Sequence, residues 1–202
     1  VDFNVEPHSG IRVKPASRRL TRGDVDSLLA SFAFKKLVDV PASLRGPATA
    51  LPAAWITIAV LVDKLTPKST ARGDPYCLWK FSDLRHTTLT VFLFGEAYSQ
   101  SWKELPGSVF ALLTPKPSPP KDASKDDGIA VSIEKASQLQ RIGLATDFAL
   151  CKAERRDGKP CGMWVNSSEC EWCEYHAAAK LREMERQAAA AAHKARRAQQ
   201  QQ

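Results

Sequence analysis

Four of the five cysteines in this 202-residue chain crowd between positions 151 and 173, and a histidine follows closely behind them. The segment reads Cys151-Lys-Ala-Glu-Arg-Arg-Asp-Gly-Lys-Pro-Cys161, then Cys170-Glu-Trp-Cys173-Glu-Tyr-His176. Tetrahedral zinc takes four thiolate or imidazole donors, and a short spacing lets one turn of chain present two of them. Cys170 with Cys173, and Cys173 with His176, are such pairs, while Asp157-Gly158 supplies a turn between Cys151 and Cys161. Five donors compete for four places, so spacing alone leaves a three-cysteine, one-histidine set and a four-cysteine set both open. A catalytic zinc would need an open coordination position and a nearby base. No H-x-E follows any of the four histidines and no H-E-x-x-H occurs, so the expected role is structural. A small module with few large apolar side chains draws much of its folding free energy from such a metal.

The elements ahead of this cluster read as mainly β. Residues 1–15 look extended, with Ile11-Arg12-Val13 as a short strand. Thr21-Arg-Gly-Asp24 resembles a capping box, and the apolar spacing through Leu28, Leu29, Phe32 and Phe34 predicts a helix to about Lys36. Three prolines and many alanines over 41–54 suggest a connector. Strands are then expected at Trp55 to Val62, Tyr76 to Leu84 and Thr88 to Phe94, a short helix from Ala97, and strands at Ser108 to Leu113 and Ile129 to Ile133. Pro115 to Asp127, rich in proline and charge, reads as a loop. Three strands, a helix and two more strands is the order of an OB-fold barrel. Leu139, Ile142, Leu144 and Phe148 are too apolar for a free linker and are expected to pack at a barrel–finger boundary. From Ala177 to about Arg197 a helix of alanines and charges lacks a large apolar face, and Gln199–Gln202 reads as frayed low complexity.

Lys and Arg number 29 against 22 Asp and Glu, a net charge of +7 with a pI near 9.3. With 44% hydrophobic and 25% charged residues, the chain is neither acidic and self-solvating nor wholly disordered. The positive excess is spread along the chain, which permits nucleic-acid binding without requiring it. Val1-Asp-Phe-Asn has neither the charged start nor the apolar core of a signal peptide, and the run Trp55 to Val62 is far too short to span a bilayer. No Gly-rich phosphate loop, Walker motif or G-x-S-x-G occurs, so the expectation is a protein without catalytic activity.

OB-folds hold single strands in a basic groove with aromatic stacking platforms. Trp79 and Phe81 share one face of their strand, with Cys77, and are expected in the core; Lys80 takes the other face. Lys80, Arg85 and Lys103 are therefore the groove candidates. Between the first two cysteines of the cluster, Lys152, Arg155, Arg156 and Lys159 outnumber Glu154 and Asp157 and form a second candidate set.

Three stretches carry a family resemblance: Ser-Gly-Ile-Arg-Val at 9–13, Trp79-Lys-Phe-Ser-Asp-Leu with Leu93-Phe-Gly-Glu-Ala-Tyr, and the cysteine cluster. Together they resemble the internal domain of the minichromosome maintenance protein ten family of eukaryotic replication factors. The resemblance implies one structural Zn2+ on Cys151, Cys161, Cys173 and His176, with Cys170 a spectator. It also implies an OB-fold packed against that finger, forming a surface for single- and double-stranded DNA. Nuclear action in origin firing and fork progression is implied as well, with contacts to the replicative helicase complex and to DNA polymerase alpha–primase. Where the family can place a basic pair before the first zinc ligand, this chain has Ala149-Leu150, which shifts the expected contacts onto Lys152, Arg155, Arg156 and Lys159. The expected division is an N-terminal helix and arm over 1–50, a barrel over 51–135, a linker and finger over 136–176, and a helical or disordered tail over 177–202. The reading from another class is a zinc-stabilised protein-interaction adaptor whose positive charge is incidental.

Overall fold

A computed structural model describes residues 4–47, 50–118 and 129–200, so part of the expected loop at 115–127 and the last two glutamines lie outside the described residues. The chain divides into two units, Val1–Phe148 and Ala149–Gln202. The first begins with α1 (Arg22–Ser31), β1 (Ala33–Phe34) and α2 (Val40–Arg45). Thr21 caps α1: its hydroxyl accepts from Asp24 N–H at 3.2 Å, and the Asp24 carboxylate accepts from Thr21 N–H at 2.7 Å. The helix ends at Ser31 and not near Lys36, because Ala33 and Phe34 leave it to pair in parallel with Trp55 and Ile56. The expected connector over 41–54 likewise contains most of α2.

The sheet follows as β2 (Trp55–Lys64), β3 (Lys68–Ser69), β4 (Pro75–Ser82), β5 (Thr88–Leu93), then α3 (Gly95–Ser101), β6 (Ser108–Leu113), β7 (Lys116–Ser118), β8 (Ala130–Ile133) and β9 (Leu139–Leu144). Its order is β7-β8-β5-β4-β2-β6-β9, with β5 and β8 parallel. The segment 130–144 thus bonds at one end to β5 and at the other to β6, so both sides of the sheet lead to the same stretch of chain. Between those ends a 3-10 turn, Ala136–Gln138, interrupts the ladder. This is the OB-fold topology, with the fifth strand split in two and the barrel not fully laddered.

Leu139, Ile142 and Leu144, expected in a linker, belong to β9 instead. Alternation could not reveal that strand, because the pairing slips between Val109 and Phe110 and leaves Ile142 as an extra residue. The N-terminal arm lies on β9: Val13 bridges Ala145, and Lys14 N–H donates to Leu144 O. A Cβ on Gly143 would stand 2.7 Å from Val13 Cγ1, so glycine is what allows that approach.

Every residue of β2 from Trp55 to Val62 is buried, as befits a central strand covered on both faces. Trp79, Phe81 and Phe110 meet at ring centroids 5.9–6.1 Å apart, so the two β4 aromatics are core as expected. Lys64 closes this end of the core. Its ammonium sits 5.2 Å over the Trp79 ring and donates to the carbonyls of Trp102 and Glu104, just past α3. Burial lowers its pKa, against the opposing influence of Cys77 and Glu104.

The second unit contains β10 (Phe148–Leu150), which begins at the boundary, β11 (Trp164–Asn166) and the long α4 (Glu174–Gln199). No described helix is long and apolar enough to cross a membrane.

Candidate metal centre and outer sheet face

Two pieces of local structure assemble the cysteine cluster. The first is a hairpin: β10 pairs with β11, Cys151 N–H donates to Met163 O at 2.7 Å, and Cys161 N–H to Ala153 O at 2.9 Å. Between them Arg155 N–H donates to Lys159 O across a tight turn whose Gly158 has φ 77°, a backbone conformation that favours glycine. The second piece is the start of α4, where Cys173 is the N-cap and His176 lies in the first turn. Positions three apart share one side of a helix turn, so both side chains point to the hairpin's cysteines.

The donor atoms of Cys151, Cys161, Cys173 and His176 all lie within 4.8 Å of one another. Cys161 and Cys173 Sγ are 3.9 Å apart, and His176 Nδ1 lies 3.6 Å from Cys151 Sγ and 3.2 Å from Cys173 Sγ. Tetrahedral zinc, with bonds of about 2.3 Å to sulfur and 2.0 Å to nitrogen, sets such separations near about 3.8 and 3.5 Å. The three-cysteine, one-histidine set therefore fits one structural zinc, which would tie the hairpin to the helix. Cys170 stands outside the group, its N–H donating to Asn166 O. Burial pushes the Cys151 thiol up, but hydrogen bonds from Cys173 and Ala153 N–H and from the Cys173 and His176 side chains outweigh it and hold the thiol at about 7. The Cys173 N–H lies 3.2 Å from Cys151 Sγ, the kind of outer-shell donor that steadies a thiolate ligand. Burial raises the Cys173 thiol, against a hydrogen bond from His176 N–H.

The cations of the intervening loop are not equally free. Lys152 pairs with Glu171, and Arg155 Nε lies 3.6 Å from Asp157 Oδ1. Among the described residues Arg156 and Lys159 have no ion-pair partner, and both are exposed.

On the barrel, residues paired directly across strands share a face. Lys68 pairs with Tyr76; Leu78 with Phe92, Phe92 with Ser132 and Ser132 with Lys116; Lys80 with Thr90. These rows form the face opposite Trp79 and Phe81. On it Tyr76 stacks on Phe94 at 5.3 Å, and Phe94 on Phe92 at 6.1 Å with their planes 10° apart. Three half-buried aromatics are thus flanked by Lys68, Lys80 and Lys116, the last 3.9 Å from Glu134. Of the three barrel candidates only Lys80 belongs to these rows. Arg85 sits in the β4–β5 turn, and Lys103 follows α3 with its ammonium 5.2 Å over the exposed Trp102. The aromatic trio, Lys68 and Lys116 escaped sequence reasoning, which placed Lys80 on this face but followed the aromatics Trp79 and Phe81 inward; the signal was the complementary outward set at alternate positions.

Residues 7–140 match the family described as MCM10 OB-fold, and residues 143–188 match the one described as Primase zinc finger. The chain belongs to the MCM10 family. Protein MCM10 homolog of Danio rerio is 32% identical over 89% of this chain, and that of Mus musculus 32% identical over 90%. The Schizosaccharomyces pombe relative, 28% identical over 60% of this chain, is named DNA replication licensing factor mcm10. The chain spans about a fifth of the length of the MCM10 relatives it matches, 21% of the Danio rerio protein and 20% of the Mus musculus protein. The family match covers the barrel and the finger, the two parts on which the resemblance rested.

Proposed function

We propose that this chain is a non-enzymatic DNA-binding part of a nuclear replication factor, serving origin firing and fork progression. The observation behind this reading is the outer face of β4 and β5, where Tyr76, Phe92 and Phe94 stack between Lys68 and Lys80. Aromatic faces take up unpaired bases whatever their identity, while lysines follow the phosphates. In the second unit, Cys151, Cys161, Cys173 and His176 act as the zinc ligands, and Arg156 and Lys159 meet phosphate from a loop the metal holds. Lys152 and Arg155, engaged by Glu171 and Asp157, contribute less. Arg85 and Lys103 are secondary contacts. Replicative helicase and DNA polymerase alpha–primase are the proposed protein partners, in line with the replication role named for the Schizosaccharomyces pombe relative.

Exposed Trp102 and Leu105, at 53% and 68%, favour the second reading, a zinc-stabilised interaction adaptor. One titration separates the two. Labelled single strand and duplex are titrated against the zinc-loaded protein at several salt concentrations. Phe92→Ala should weaken single-strand binding by about 1–3 kcal/mol. Arg156→Glu with Lys159→Glu should lower the single-strand log–log salt slope by about 1.4, near 0.7 per phosphate. A zinc-loaded parent that binds neither single strand nor duplex would refute the DNA reading and leave the adaptor, while an affinity and slope unchanged in both folded variants would move the contacts to other residues.

A further inference from the structure

We propose that α4 is an arm for duplex DNA, lying along the major groove with one cationic stripe against the phosphates; this rests on the DNA-binding reading above. The helix runs 26 residues without one buried side chain. Most helices in proteins are stabilised by packing one apolar face. No such packing explains this one beyond its first turns. At 3.6 residues per turn, Arg182, Arg186, His193 and Arg197 fall on one narrow stripe, about 22 Å long at 1.5 Å per residue. Leu181 and Met184 lie on the opposite side, exposed. After Glu185 the sequence contains no further acid, whereas Arg186, Lys194, Arg196 and Arg197 follow.

Arg186 pairs with Glu183 on its own helix; among the described residues Arg182, Lys194, Arg196 and Arg197 have no ion-pair partner. Cations in a last turn also favour the helix dipole, which accounts for Arg196 and Arg197 but not for Arg182 and Arg186, farther up the helix. The alanines between the cations keep this part of the rod slim enough for a groove about 12 Å wide with phosphates along both walls. Its N-terminal end is held where zinc would bind, through Cys173 and His176, and the Lys180 ammonium lies 3.8 Å from the Trp172 ring centroid. Cations presented on an anchored rod lose less freedom on binding than cations on a floppy tail. An unbroken helical rod suits a duplex, while a flexible single strand suits the aromatic face of the barrel.

The test compares salt series for a short random-sequence duplex and an oligothymidine. With Arg182, Arg186 and Arg197 all replaced by Gln, a good helix former, the duplex log–log slope should fall by about 1.8–2.7, near 0.9 per phosphate, the lower figure holding where Arg186 stays with Glu183. The oligothymidine slope should stay put. Replacing the same three by Lys should restore the duplex slope, and Leu181→Gln with Met184→Gln should change neither series. A Gln triple variant that keeps the parental duplex slope and affinity, or that loses both oligonucleotides equally, overturns this inference and leaves the DNA reading standing. A parent protein that binds neither oligonucleotide overturns both.

Discussion

The barrel unit encloses Trp79, Phe81 and Phe110 around a central strand covered on both faces, whereas in 149–200 the buried hydrophobic residues among those described are Cys151 and Val165. The first unit has an apolar interior large enough to fold by burial. The second has hairpin turns, four converging donor atoms and a helix in solvent. A zinc on those four donors would do there what a core does elsewhere, by joining the hairpin to the start of the helix.

The largest effect should come from removing the metal. Chelation, or Cys173→Ser, should unfold the finger, since structural zinc contributes on the order of 10–16 kcal/mol at neutral pH. The sheet signal in circular dichroism should survive, and Cys170→Ser should leave zinc content unchanged. Full zinc retention in Cys173→Ser would break the contrast between the units. The Cys151 thiol, held at about 7, must be ionised to bind metal. Burial raises the Cys173 thiol, which must ionise as well. Zinc retained against a competing chelator should therefore already decline from above pH 7 and fall more steeply as the pH drops through the Cys151 value.

Next in size is the core itself. Phe110→Ala should cost about 3–5 kcal/mol in denaturant unfolding of the sheet. Its zinc content should be unaffected, because all four donors lie in the other unit. Loss of zinc from this variant under native conditions would show that the two units do not fold by separate means. A smaller change should follow Gly143→Ala, whose new methyl would meet Val13 Cγ1 at 2.7 Å. An overpacked arm of this kind costs about 1–3 kcal/mol. Unchanged stability would mean that the N-terminal arm shifts freely on β9, and that this part of the barrel surface is looser than its interior.

Donor spacing, the α1 cap and most strands were legible in the residues because each depends on neighbours a few positions apart. Thr21 and Asp24 are three residues apart, as are Cys173 and His176, and a strand announces itself by alternation along its own length. The exposed character of α4 was legible for the same reason, since no long apolar stripe runs along it. Other features depend on which distant segments meet. Tyr76 and Phe94 stack only because β4 and β5 pair in a particular register. Lys152 loses its free charge only because the zinc-binding fold brings Glu171 beside it. Alpha-helical spacing continues past Ser31, yet α1 stops there, since Ala33 and Phe34 gain strand partners from β2. Strand β9 hid behind a bulge that only its partner β6 defines. Hydrogen-bond pairing and charge neutralisation between remote segments are set by the folded backbone, and no local pattern in the chain encodes them.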